Sequence, residues 1–135
     1  MDPTRAKKIL IVDDEPDVVT YLCSFFEDNG FEVIPAYNGK EAFDKAVSEK
    51  PDLISLDITM PEESGLRTYR DLQETEATKD IPVVIVTGVS YGYKSFERFM
   101  QTRKQFKPPA GFFEKPIDRD ELLAKVKGIL GGEKN

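Results

Sequence analysis

The chain has 135 residues, enough for one ordinary domain, and its 39% hydrophobic and 33% charged residues are typical of a soluble globular protein. It contains no histidine, which excludes hydrolases with a histidine base, histidine metal sites and a phosphohistidine relay within the chain. The net charge of −6 disfavours direct binding to nucleic acid. Because the N-terminus is polar and no apolar run approaches the roughly 20 residues of a membrane helix, we expect a cytoplasmic protein without membrane association.

The first half of the chain predicts strands at 8–12, 31–36 and 52–56, each an apolar run rich in β-branched residues. A helix with an apolar stripe follows the first strand, and Gly30 ends it. The Asn38-Gly39 turn begins a second helix, which is broken by Pro51. We expect its buried face to contain Ala42, Phe43, Ala46 and Val47.

The second half predicts strands at 82–86 and 111–114, separated by helices. A short helix carries Leu66 and Leu72, and a fourth helix is predicted near 94–106. The last helix begins at Asp118, with Glu121 three residues later as a capping box. Five strand–helix units in this order imply one α/β domain over 1–135, with a core at about 8–130 and a parallel sheet covered on both faces.

Polar side chains follow four of the five predicted strands, at the edge where ligands bind to open parallel sheets. They are Asp13, Asp14 and Glu15 after the first strand, Asp57 after the third, Thr87 after the fourth and Lys115 after the fifth. Three converging carboxylates repel one another unless a cation joins them, and their oxygen ligands suit Mg²⁺. An aspartate can accept a phosphoryl group when a metal and a lysine neutralise the charge. The pattern therefore predicts phosphoryl transfer to a carboxylate.

Five short motifs in this order resemble those of bacterial two-component response-regulator receiver domains, over about residues 8–130. The motifs are Ile9 to Glu15, Pro51 to Asp57, Met60-Pro61 with Gly65, Val86-Thr87-Gly88, and Lys115-Pro116. The resemblance implies a doubly wound, flavodoxin-like (βα)5 fold with strand order 2-1-3-4-5. It also implies a stand-alone phosphorylation switch rather than an enzyme with a separate substrate.

The resemblance assigns Asp57 as the phosphoacceptor, which takes its phosphoryl group from a histidine kinase or a phosphotransfer protein. It assigns Mg²⁺ binding to Asp14 and Asp57, to Asp13 through water, and to the backbone carbonyl of Thr59. Lys115 is expected to pair with the phosphate. Its peptide bond to Pro116 is expected to be cis. Thr87 and Phe112 are the expected switch residues that alter binding to a downstream target protein. Thr59 and Val89 are expected to flank the phosphate and to tune its hydrolysis.

Other interpretations stay open at this point. The two acidic residues after the first strand could cap the first helix, and Phe112 could be an ordinary core residue. The whole domain could be a receiver-like scaffold that is never phosphorylated. A small aspartyl-phosphate phosphatase is disfavoured, because such enzymes usually place a second aspartate where this chain has Thr59.

The stretch between Thr87 and Lys115 is longer than is usual for the family and is locally basic. Its part between Lys94 and Lys107 has five basic residues against one acidic residue. It is either a tolerated surface insertion or a binding surface for an acidic partner. In the second case Arg98, Arg103 and Lys104 should carry the contact.

Overall fold

A computed structural model of the chain describes residues 6–60, 64–88 and 92–131, and within these ranges strands alternate with helices. Each strand differs from its predicted range by at most one residue at either end. No helix of the described ranges is long and apolar enough to cross a membrane. The elements in chain order are β1 (Lys8–Val12), α1 (Pro16–Asp28), β2 (Glu32–Ala36), α2 (Gly39–Glu49), β3 (Leu53–Asp57), α3 (Ser64–Glu74), β4 (Val83–Thr87), α4 (Gly92–Gln101), β5 (Gly111–Glu114) and α5 (Arg119–Gly131).

The five strands form one parallel sheet in the order β2-β1-β3-β4-β5, which confirms the predicted topology. The chain winds from β1 to β2 on one side and then crosses β1 to place β3 on the other. The switch point of the winding therefore lies between β1 and β3. In open α/β sheets the crevice beyond the carboxyl ends of such strands is the usual ligand site.

The core has two layers because successive side chains of a strand point to opposite faces of the sheet. On one face Leu10, Ile54 and Ile85 pack with residues of α2, α3 and α4. On the other face Ile9 and Val84 pack with residues of α1 and α5. The double coverage explains why the strands read as continuous apolar runs rather than as alternating ones.

Local signals fix where the helices begin and end. Gly30 has φ of +92°, a conformation that glycine adopts without steric cost. Its N–H donates to the carbonyl of Glu27, and the N–H of Phe31 donates to the carbonyl of Phe26, both at 3.1 Å. This pair of bonds is the Schellman motif, which closes α1 as predicted. The carboxylate of Asp118 accepts from two backbone N–H groups at the start of α5, which confirms its capping role.

Two expectations for the helices are wrong. Helix α4 ends at Gln101, and the chain then makes two short turns, from Met100 to Arg103 and from Arg103 to Phe106. Phe106 is buried by these turns and not by a continued helix, so helical spacing alone could not find the end of α4. Val47 of α2 is exposed, because the faces that α2 buries are formed by its alanines and by Phe43.

Candidate functional site

The predicted acidic residues meet at the carboxyl edge of the sheet. Asp13 directly follows β1 and Asp57 is the last residue of β3, and both side chains are almost completely buried. Asp14 is exposed beside them. One carboxylate oxygen from each of the three residues lies within 4.8 Å of the other two. The sequence prediction that these groups converge is therefore correct.

Lys115, after the last residue of β5, reaches across this edge to three carboxylates. Its ammonium nitrogen Nζ lies 2.9 Å from Asp13 Oδ2 and 3.3 Å from Asp57 Oδ2. It also lies 2.9 Å from Glu15 Oε1, at the exposed rim. The peptide bond from Lys115 to Pro116 is cis, as the resemblance implied. No role was predicted for Glu15, although its position next to Asp13 and Asp14 was an available signal.

Thr59 joins the ends of β3 and β4 through its side chain. Its backbone N–H and its hydroxyl both donate to Asp57 Oδ1, at 2.8 and 2.7 Å. The same hydroxyl oxygen accepts a hydrogen bond of 2.9 Å from the backbone N–H of Gly88. These bonds hold Asp57 Oδ1, while Oδ2 faces the ammonium of Lys115. Thr59 was expected to bind the metal through its carbonyl and to flank the phosphate, and this use of its hydroxyl was not predicted.

Burial and neighbouring charges act against each other in this site, and burial prevails at Asp13 whereas the neighbouring carboxylates prevail at Lys115. Burial raises the pKa of Asp13 from 3.8 to about 6, and the charge of Asp57 adds to this effect, although contacts with Lys115 and the Glu15 N–H oppose it. Burial lowers the pKa of Lys115, but its carboxylate neighbours outweigh that effect and hold the pKa above its ordinary value. One ammonium thus does not fully compensate the buried carboxylates. Their oxygen donors and uncompensated charge fit a divalent cation such as Mg²⁺.

The expected switch residues lie on adjacent strands. Thr87 is the last residue of β4 and is fully buried, and Phe112 pairs in register with Ile85 on the neighbouring strand. The half-buried ring of Phe112 lies 5.9 Å from the ring of Phe96 in α4. The placement is compatible with a coupled pair, and the coupling itself stays a prediction. Val89, the other expected tuning position, lies outside the described residues.

Gly65, in the first turn of α3, explains how the loop after Asp57 can lie so close to a helix. A Cβ atom on this residue would lie 2.5 Å from the carbonyl oxygen of Asp57 and would also overlap the backbone of Ile58. Real side chains do not tolerate such contacts, so only glycine fits here without a shift of the backbone. The glycine of the sequence motif thus has a steric reason to be next to the site.

The family model described as "Response regulator receiver domain" matches residues 9–127, nearly the whole described chain. The chain belongs to this family. Among its relatives, Protein PilH of Pseudomonas aeruginosa is 34% identical over 128 residues, which cover 93% of this chain and 98% of PilH. The transcriptional regulatory protein PhoP of Bacillus subtilis is 36% identical over 124 residues, and this receiver domain spans 48% of its length.

Solved structures of other receivers have the same fold. The response regulator TrrA of Thermotoga maritima, described in complex with Mg²⁺ and BeF, is 34% identical and superimposes with a TM-score of 0.76 over 92% of this chain and 99% of TrrA. The chemotaxis response regulator CheY4 of Vibrio cholerae is 25% identical, with a TM-score of 0.78 over 93% of this chain and 100% of CheY4. Receiver domains are regulatory parts of two-component systems, and their family includes proteins that bind Mg²⁺.

Proposed function

We propose that this receiver domain is a phosphorylation switch whose phosphoacceptor is Asp57. The phosphoryl donor is the phosphohistidine of a histidine kinase or a phosphotransfer protein, and the output is altered binding to a downstream protein in the cytoplasm. The observation that supports this proposal most is the convergence of Asp13, Asp14 and Asp57 at one sheet edge, with the ammonium of Lys115 3.3 Å from Asp57 Oδ2. A scaffold that is never phosphorylated would have no use for carboxylates that repel one another in a buried place.

The transfer needs no general base from the receiver. An oxygen of the ionised Asp57 carboxylate attacks the phosphorus atom, and the phosphorus–nitrogen bond of the donor phosphohistidine breaks. The electron pair of that bond stays on the ring nitrogen, and the ring leaves as neutral imidazole because its other nitrogen carries a proton, taken up from water beforehand. The receiver contributes position and compensating charge, which are the main requirements of phosphoryl transfer. The absence of histidine from the chain is therefore no obstacle.

The residues that would hold Mg²⁺ are Asp14 and Asp57, Asp13 through water, and the backbone carbonyl of Thr59. When bound, the ion supplies positive charge that offsets the oxygens of the incoming phosphoryl group. Lys115 donates to a phosphoryl oxygen, since its Nζ lies 3.3 Å from Oδ2 of the acceptor carboxylate Asp57. For this donation, Lys115 must break or lengthen its ion pair with Glu15 or with Asp57.

The remaining site residues respond to the phosphoryl group. The hydroxyl of Thr87 turns to a phosphoryl oxygen, and the ring of Phe112 follows into the space that the threonine leaves. Thr59 and Val89 flank the group and set how fast water removes it. In this proposal the domain promotes only its own phosphorylation and dephosphorylation, and it acts on no separate substrate.

Intact mass after treatment with acetyl phosphate tests the site assignment, with and without Mg²⁺. We expect the wild-type chain to gain one phosphate only when Mg²⁺ is present, and the Asp57→Asn variant to gain none. Asp44→Asn is the matched control, because it makes the same chemical change at an exposed residue of α2. Addition of phosphate to Asp57→Asn at the wild-type rate would show that another residue is the acceptor.

A further inference from the structure

The segment between Lys94 and Lys107 places positive charge on one side of an acidic molecule. It has five basic residues and only Glu97 as an acidic one, whereas the whole chain has a net charge of −6. Lys107 is neutralised by an ion pair with Asp80. In the described part of the chain Lys94, Arg98 and Lys104 are exposed and none of them has a carboxylate at ion-pair distance. Their charge is therefore available to a partner.

We propose that this basic surface, formed by Lys94, Arg98, Arg103 and Lys104, binds an acidic stretch of a partner protein. This surface is distinct from the acidic edge, defined as the carboxyl edge of the sheet where Asp13, Asp14 and Asp57 meet. Only its use as the output of the switch rests on the function proposed above; its ability to bind does not.

The geometry of α4 separates the basic surface from the core. Lys94 and Arg98 are four residues apart and so lie on one face of the helix. Phe96 is buried and Phe99 is half-buried, and both lie on the opposite face against the core. The two rings stack with centroids 6.1 Å apart. The buried face fixes the orientation of α4, and the positive side chains are thereby directed away from the protein.

The chain after α4 is held in place and is not a loose insertion. Phe106 is buried in the core, and the hydroxyl of Tyr69 donates to the carbonyl of Lys107 at 2.5 Å. The backbone N–H of Lys107 donates to Gln73 Oε1 at 3.0 Å. Arg103 and Lys104 therefore lie between two fixed points, the end of α4 and this anchor on α3. A surface that is ordered before binding loses less conformational entropy when a partner binds.

The guanidinium of Arg103 is preorganised to bind a planar anion. Its carbon atom lies 4.3 Å above the ring centroid of Phe99, which is a cation–π geometry. Among the residues that the structure describes, its hydrogen bonds are both made by Nη1, which donates to the Phe99 carbonyl and to Thr102 Oγ1. The other N–H groups of the guanidinium are left for two parallel hydrogen bonds to a carboxylate. This preparation favours a carboxylate partner at the centre of the basic surface.

The charge of the rest of the molecule favours a short acidic polypeptide over a long polyanion. The segment 94–107 is +4, so the remaining residues together carry −10. A nucleic acid or an anionic membrane extends beyond the basic surface and meets this negative charge, which repels it. An acidic stretch of a protein can cover the basic surface alone. Electrostatic complementarity of this limited size gives specificity and fast association.

The test is fluorescence anisotropy with the complete chain and a labelled peptide rich in Asp and Glu. A peptide of the same length with Asn and Gln at those positions is the matched ligand. We expect the acidic peptide alone to bind, and more weakly as salt rises. The variant Arg98→Glu/Lys104→Glu should weaken binding by about tenfold or more. The control Lys7→Glu/Lys127→Glu has the same net charge, and its exposed lysines lie outside the basic surface; it should change affinity by less than about twofold.

An equal loss of peptide affinity in Arg98→Glu/Lys104→Glu and in Lys7→Glu/Lys127→Glu would overturn the proposal. Net charge, and not this surface, would then explain binding. Tighter binding of a DNA oligonucleotide or of phosphatidylserine vesicles, lost in Arg98→Glu/Lys104→Glu, would overturn the choice of a protein partner. If the chain self-associates and the same substitutions abolish this, the proposal is wrong and the basic surface binds a second copy of the chain. Arg98→Gln/Lys104→Gln repeats the test without introducing new negative charge. Both variants should still accept phosphate from acetyl phosphate, so failure of phosphorylation and failure of peptide binding are distinguishable.

Discussion

Asp13 at the acidic edge and Asp80 beside the basic surface each contact a lysine ammonium, yet their pKa values shift in opposite directions. Asp13, which contacts Lys115, has its pKa raised to about 6, because burial outweighs the lysine. Asp80, which contacts Lys107, has its pKa lowered by the hydrogen bond and the charge of that lysine. The first pair is shielded from water, and the second is exposed to it.

A contact between an aspartate and a lysine therefore has a different consequence in each of the two regions. At the acidic edge, carboxylates are held in a buried place at a cost in free energy, which suits the cation and phosphoryl site proposed above. Near the basic surface, the exposed pair only neutralises one lysine of the segment. Stability should therefore depend strongly on the first lysine and weakly on the second.

The largest expected effect comes from removal of Lys115, whose side chain is only 19% exposed. Lys115→Gln leaves Asp13 and Asp57 without their ammonium partner and should lower the free energy of unfolding by about 3 kcal/mol in the absence of metal. Urea unfolding at neutral pH with a chelator measures this. Lys107→Gln is the matched change at the exposed pair and should have a much smaller effect. Equal effects of the two substitutions would contradict the contrast between the regions, and added Mg²⁺ should restore part of the stability of Lys115→Gln only.

A somewhat smaller effect is expected at the loop that carries Thr59. Gly65→Ala forces a methyl group onto the backbone of Asp57 and Ile58 and should lower the free energy of unfolding by about 2 kcal/mol. Gly128→Ala in α5 is the control, since in the described chain the added methyl group meets no atom within 4 Å apart from its chain neighbours and its own helix backbone. It should raise stability by about 0.5–1 kcal/mol, because alanine is the better helix former. Thermal unfolding of both variants measures the difference, and a neutral Gly65→Ala would refute the tight packing.

The smallest expected effect concerns the anchor of the basic surface. Tyr69 is buried, burial raises its pKa to about 12, and its hydroxyl holds the Lys107 carbonyl. Tyr69→Phe should lower the free energy of unfolding by about 1–2 kcal/mol. It should also speed amide hydrogen exchange in residues 102–107. Tyr21→Phe, at a half-exposed ring of α1, should change neither quantity. Unchanged exchange in Tyr69→Phe would mean that Phe106 and Gln73 hold the segment without this bond.

Much of the acidic edge could be predicted from the sequence alone. A residue that directly follows a buried parallel strand must lie at the carboxyl edge of the sheet, whatever the helices do. Asp13, Asp57 and Lys115 were placed correctly for this reason, and the apolar runs located their strands to within one residue. Local chemistry was equally sufficient at Gly30 and Asp118, where the end of a helix depends on neighbouring residues.

Contacts between distant parts of the chain were decided only by the tertiary structure. The end of α4 at Gln101 goes with the burial of Phe106 and with two hydrogen bonds at Lys107, whose carbonyl accepts from the Tyr69 hydroxyl and whose N–H donates to Gln73 Oε1. Helical spacing contains no sign of these contacts. The bridge from the Thr59 hydroxyl to Gly88 likewise joins residues 29 positions apart. The sequence by itself determined which residues occupy each strand end, because that follows from local order along the chain. Side-chain pairing across strands and helices required the fold, because it depends on distances that local order does not set.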